Sequence, residues 1–303
     1  MEALVEATLR LAAPLLLAAL GELLVQRAGL VNIGIEGTML FGAFAGFAAA
    51  VATGSPAVGV LAGAGAGCAA SAVFAWQSVV RRSDQIVVGM AVNLLALGLT
   101  GMASRALWAG APPAAPTVGI LALPGLAELP LLGPLFAQTP FVYAGLALAA
   151  CAGFFLGHTR AGLRLRAVGE SAGAADAEGV PVLRVRFGAV LVGGALAGVA
   201  GAALPLALAD TFTEGMTSGR GFIALAVVIF GRWRAAGVLG AALFFGAATA
   251  LQFRLQARGL GIPYPVFLMF PYLVTLAVLG FASGGARAPA DLGRAYRRES
   301  GLP

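Results

Sequence analysis

Lysine is missing from this chain; all 19 of its basic residues are arginine. A Walker A loop needs its lysine to reach the nucleotide phosphates, so ATP hydrolysis by that route is excluded. Charge of either sign is scarce, at 11% of 303 residues against 60% hydrophobic, and the mean hydropathy is +0.93. Soluble domains carry about a quarter charged residues, so this is the composition of an integral membrane protein. The one histidine, His158, closes an apolar run without a partner at metal-ligand spacing. The two cysteines, Cys68 and Cys151, lie inside apolar runs, which argues against a structural disulfide or a metal site. With few carboxylates and no nucleophile–base constellation, no catalytic residue is expected, and the chain reads as a non-enzyme. The pI near 10.3 does not imply nucleic acid, because the arginines fall between apolar segments and in the tail, where positive-inside topology accounts for them. The acidic start, Glu2 and Glu6, is unlike a cleaved signal peptide.

What is abundant is apolar length. At about 20 apolar residues per crossing, spans are expected near 8–26, 33–53, 56–80, 86–108, 140–157, 186–209, 219–231, 235–253 and 264–282. The fold class is therefore all-α, a polytopic transmembrane bundle of about nine spans forming one domain over 1–303. Segment 120–136 is broken by Pro124, Pro130 and Pro134 and is assigned to an external loop. Placing Arg81, Arg82, Arg160, Arg164, Arg166, Arg184, Arg186, Arg232, Arg234 and the tail (about 284–303) inside puts the N-terminus outside and the C-terminus in the cytoplasm. Arg254 and Arg258 are exceptions. Small-xxx-small spacings such as Gly42–Gly46, Gly59–Gly63–Gly67 and Gly194–Gly198 permit close helix crossings.

Polar residues inside this apolar chain carry the functional signal. The stretch GLVNIGIEGTMLFGAFAGF, Gly29 to Phe47, holds Asn32 and Glu36 on one helical face, and its five glycines make it a poor regular helix. A carboxylate and a helix break at membrane depth point to a pathway-lining segment. A tight glycine crossing with Glu36 snorkelling to the interface is the structural alternative. EGMTSGRGFIALAVVIFG, from Glu214 to Gly231, repeats the Glu–Gly pair in a short apolar run entering from the opposite side. That is the pattern of inverted repeats with broken helices, or else chance in a glycine-rich chain. Candidate pathway residues are thus Asn32, Glu36, Asn93, Glu214, Thr217 and Phe222, with a structural hydrogen bond the alternative for Asn93. The loop of about 159–185, TRAGLRLRAVGESAGAADAEGVPVLRVR, is the longest charged connection. Short helices are expected at Gly162–Ala167 and Ser171–Glu178, hinged at Gly169 and stopped by Gly179 and Pro181. The loop suits either docking to a soluble partner or plain solvation.

Four blocks in order, GLVNIGIEGTMLFGAF, TRAGLRLRAVGESAGAADAEGV, EGMTSGRGFIALAVVIFGRW and MFPYLVTL (Met269 to Leu276), resemble the permease subunits of bacterial ABC importers in the branched-chain amino acid, ribose and nucleoside group. They are most similar to the shorter permease of nucleoside or simple-sugar systems. The resemblance implies a location in the bacterial plasma (inner) membrane, an ABC ATPase partner that uses the ATP, a second related permease chain in a heterodimer or homodimer, and an extracytoplasmic substrate-binding lipoprotein. No cofactor belongs to this chain itself. It also implies a coupling loop against the ATPase, with Arg160, Gly162, Arg164, Gly169, Glu170 and Gly179 as its residues; Glu170-Ser171-Ala172 stands where the family often has Glu-Asn-Pro. The alternative is a self-contained, ion-coupled secondary transporter using Glu36 and Glu214.

Overall fold

The computed structural model describes residues 2–122, 124–125, 133–257, 269, 273 and 288–297. Its helices are α1 (Glu2–Arg27), α2 (Ile35–Thr53), α3 (Pro56–Ala75), α4 (Gln85–Trp108), α5 (Pro140–His158), α6 (Arg160–Glu170), α7 (Ala172–Ala177), α8 (Val182–Ala203), α9 (Arg220–Phe230) and α10 (Ala235–Ala257). α3 and α8 continue as π-helical turns to Val80 and Ala209. Seven of these helices are then long and apolar enough to cross a membrane. They coincide with seven of the nine expected spans. The span expected at 219–231 is the 11-residue α9, preceded by irregular chain. The one expected at 264–282, with almost all of MFPYLVTL, lies outside the described residues, as do Arg258 and Arg287. At the two ends of the proline-broken segment, β1 (Leu121–Ala122) pairs antiparallel with β2 (Ala137–Gln138).

Local chemistry sets several helix starts. Asp84 caps α4 by accepting from the Ile86 and Val87 N–H groups at 2.8 and 3.1 Å. Pro56 and Pro140 open α3 and α5, where their missing N–H costs nothing. α8 lies at the centre, against α1, α2 and α3. In lipid, helices are drawn together by close packing rather than by loss of water. Here backbone meets backbone: a Cβ on Gly198 would collide with the Gly63 carbonyl, and one on Gly42 or Gly67 with Gly198 itself.

This packing corrects the expectation that the glycines after Gly34 break the chain. α2 is continuous from Ile35 to Thr53. Gly37 lies against Asn93 and Val92, Gly42 against Gly198, and Gly46 against Ala202 and Gly59. Each glycine costs a helix about 1 kcal/mol in propensity, and the close contacts it allows offset that. Gly198→Leu should therefore abolish folded protein, since it overpacks a three-helix contact. Gly65→Leu, where a Cβ meets nothing within 4 Å, should express as a monodisperse peak in detergent gel filtration. Equal yields of the two would refute the packing role.

Candidate functional site: two helix breaks joined by one carboxylate

α1 ends at Arg27, the chain turns at Gly29 (φ +86), and residues 30–34 run unwound before α2. Unwound backbone packed inside a helical bundle needs protein partners, and α1, α4 and α8 supply them. Glu22 Oε1 accepts from the Asn32 N–H at 3.2 Å and from Gln26 Nε2 at 3.0 Å. Gln85 Oε1 accepts from the Val31 N–H at 2.8 Å. Asn93 donates to the Ile33 carbonyl at 3.0 Å and accepts from the Gly37 N–H at 2.7 Å. Arg186 Nε donates to the Ala28 carbonyl at 3.1 Å.

The second break is the segment 210–219, with positive φ at Asp210, Gly215, Ser218 and Gly219. It leads into α9, whose first N–H groups have no partner within the helix. Glu36 supplies both acceptors: Oε1 takes the Gly219 N–H at 2.7 Å and Oε2 the Gly221 N–H at 2.6 Å. These are charge-assisted bonds at the positive end of a helix. A Cβ on Gly221 would come within 2.6 Å of the Glu36 backbone, so only glycine lets the two helix starts touch. The two motifs, 183 residues apart between Glu36 and Gly219, thus meet through one side chain.

The other expected pathway residues divide around this junction. Asn93 adjoins it, with both ends of its amide engaged by the start of α2, the structural alternative for this residue. Asn32 and Thr217 are buried, and Asn32 Oδ1 has no hydrogen-bond partner among the described residues. Glu214 pairs with Arg105 at 3.1 Å on the open side of α4. Phe222 is 45% exposed on α9. Cavities among the described residues lie elsewhere, and the six residues line none of the four most prominent grooves.

The charged loop folds as two short helices near the expected places, with one correction. The bend is at Ser171, which is extended (φ −156, ψ 99) and caps α7 by accepting from the Ala174 N–H. Gly169 is not the hinge; it stays helical, and a Cβ there would collide with the Arg27 carbonyl and lie 3.2 Å from the Gly29 N. Its lack of a side chain lets α6 lie directly on the first break. Gly162 is buried against the end of α5, Gly179 (φ +77) ends the second helix as expected, and Arg160, Arg164 and Glu170 are exposed.

Residues 288–297 tie these parts together. Asp291 N–H donates to the Gly169 carbonyl at 2.9 Å, and Gly293 N–H to the Gly29 carbonyl at 3.0 Å. Asp291 Oδ2 accepts from the Ala172 N–H at 2.7 Å, and Arg186 Nη1 donates to the Arg294 carbonyl at 2.8 Å. Sequence reasoning missed Glu22, Gln85 and Asp291, and read Arg186, which is 2% exposed, only as a topology anchor, without its buried contacts. Glu22 carried the signal that singled out Glu36, a carboxylate in an apolar run. Asp291, in a polar tail, carried none.

Among the described residues no group of three His, Cys, Asp or Glu could hold a metal ion. The family described as "Branched-chain amino acid transport system / permease component" matches residues 4–279. Similar proteins include the guanosine ABC transporter permease NupQ of Bacillus subtilis, 38% identical over 97% of this chain and 96% of that one. The nucleoside ABC transporter permease NupC of Lactococcus lactis is 35% identical over 93% of each chain. The glucose ABC transporter permease TsgB13 of Haloferax volcanii is 31% identical over 92% of this chain and 80% of its own. No solved structure matches. With seven membrane-length helices and a family match over nearly its whole length, the chain belongs to the branched-chain amino acid transport system permease-component family and is a multi-pass membrane permease of the ABC-transporter type.

Proposed function

We propose that the chain, acting as one domain, is the shorter permease of an importer for nucleosides, with simple sugars the next class. It works with a separate ATPase, a second related permease chain and a substrate-delivering lipoprotein. The observation that carries this reading is the Glu36 bridge to α9, built on the same first break that Gly169 of α6 touches. Force applied to α6 by an ATPase reaches the first break through the Gly169 backbone contact and the second through the Glu36 carboxylate. α6, α7 and residues 288–297 then form the cytoplasmic face, and the N-terminus lies outside.

The charge pattern supports a neutral solute. Discontinuous helices often aim a positive N-terminus at an anionic substrate, but Glu36 already occupies that end of α9. Arg105 and Glu214 balance each other nearby. Phe222 offers an exposed ring on which a base or sugar face can rest. The ion-coupled reading fares worse, because Glu36 has both oxygens engaged and Glu214 is ion-paired.

Membrane vesicles holding all the partner chains should take up labelled guanosine only with ATP and the lipoprotein present, and the permease alone should hydrolyse no ATP. Uptake of glucose but not guanosine would move the assignment to sugars. Guanosine uptake driven by an ion gradient without ATP would overturn the importer reading.

A further inference from the structure

A groove of about 590 Å³ opens on the flank of the bundle between α1, α5, α6 and α8. Its wall is apolar, with Leu20, Leu148, Phe155 and Leu196 among its members, and among the described residues its only charged members are Arg164 and Arg184. Neither guanidinium makes a hydrogen bond or ion pair among the described residues. Both arginines sit at the α6 end. From Arg184 the lining follows α8 to Leu196, about 18 Å at 1.5 Å per residue. That is close to half of the roughly 30 Å hydrocarbon core.

An apolar trough one leaflet deep, with two cations at one end that are unpaired among the described residues, has the polarity of a phospholipid. We propose that this groove binds one anionic phospholipid, with its phosphate between Arg164 and Arg184 and an acyl chain laid along α8 toward Leu196. Basic pockets between transmembrane helices recognise anionic headgroups in this way, and each buried methylene of the chain adds to the affinity. Among the described residues no acidic side chain lines the groove, so a zwitterionic headgroup finds no partner there for its ammonium. A polar solute would find no hydrogen-bond partner along the apolar wall. Arg164, expected at the ATPase contact, here serves the lipid-facing side.

Cys151 lines the groove and reports its occupancy. In the assembled transporter carrying Cys68→Ser, maleimide labelling of Cys151 should slow in nanodiscs of phosphatidylglycerol relative to phosphatidylethanolamine. Native mass spectrometry should show one retained phosphatidylglycerol. Arg164→Gln with Arg184→Gln should weaken that retention at least about tenfold. Gly188→Trp provides a second, charge-independent test: a Cβ at Gly188 meets nothing within 4 Å, so the indole enters the groove without a backbone clash and should displace the lipid. Equal retention of both lipids, undiminished phosphatidylglycerol in both variants, or cross-linking of Cys151 to another protein chain would each overturn the proposal.

Discussion

Replacing Glu36 with alanine is expected to abolish uptake and sharply lower the yield of folded protein. The change strands the Gly219 and Gly221 N–H groups at the start of α9. Charge-assisted bonds contribute about 1.5–3 kcal/mol each, and an unsatisfied buried donor carries its own desolvation cost. Glu36→Gln is a graded test. Its single carbonyl oxygen can serve one of the two N–H groups, while its NH2 faces the other as donor against donor. Thermal stability of the purified complex should fall in the order Glu36, Gln, Ala, with uptake following it. Glutamine with wild-type stability and no uptake would assign the charge to the transport step and not to the cap.

Gly169→Val should separate ATP hydrolysis from transport. The new side chain must push α6 off the Arg27 carbonyl and the Gly29 turn, and a packed contact transmits such a shift because it does not deform smoothly. The variant should insert and assemble with its ATPase, hydrolyse ATP, and take up substrate at least about tenfold more slowly. Gly157→Val, at a position where a Cβ meets nothing within 4 Å, should transport normally. Normal uptake with Gly169→Val would mean that α6 does not act on the first break.

The expected importance of Glu36 and the misassignment of Gly169 have related causes. A carboxylate among apolar residues is conspicuous because its burial is expensive wherever it points, so Glu36 stands out without knowledge of its partner. That the partner is the start of α9 depends on how α2 and α9 cross. Glycine is ambiguous in the same local reading, since one residue type serves turns, hinges and tight crossings. Gly29 and Gly179 do have positive φ, whereas Gly37, Gly42, Gly46 and Gly169 are helical and serve contact. Arg186 shows what a charge count leaves out. A positive-inside count concerns only the side of the membrane, and it gives no sign that the carbonyls of Ala28 and Arg294 hold this arginine buried.

The amino-acid sequence by itself determined that this is an all-α membrane protein, where most of its membrane-length helices lie, and that it carries no P-loop lysine; it also singled out Glu36 and the charged loop as candidates. Those properties follow from transfer free energies and local chemistry, which act residue by residue along the chain. Only the tertiary structure decided that Glu36 caps α9, that Gly169 rests on the turn after α1, and that Asp291 binds α7. In each of these a backbone group meets a partner from a distant segment, and a backbone N–H or carbonyl has the same chemistry at nearly every residue, so its partner is selected by packing alone.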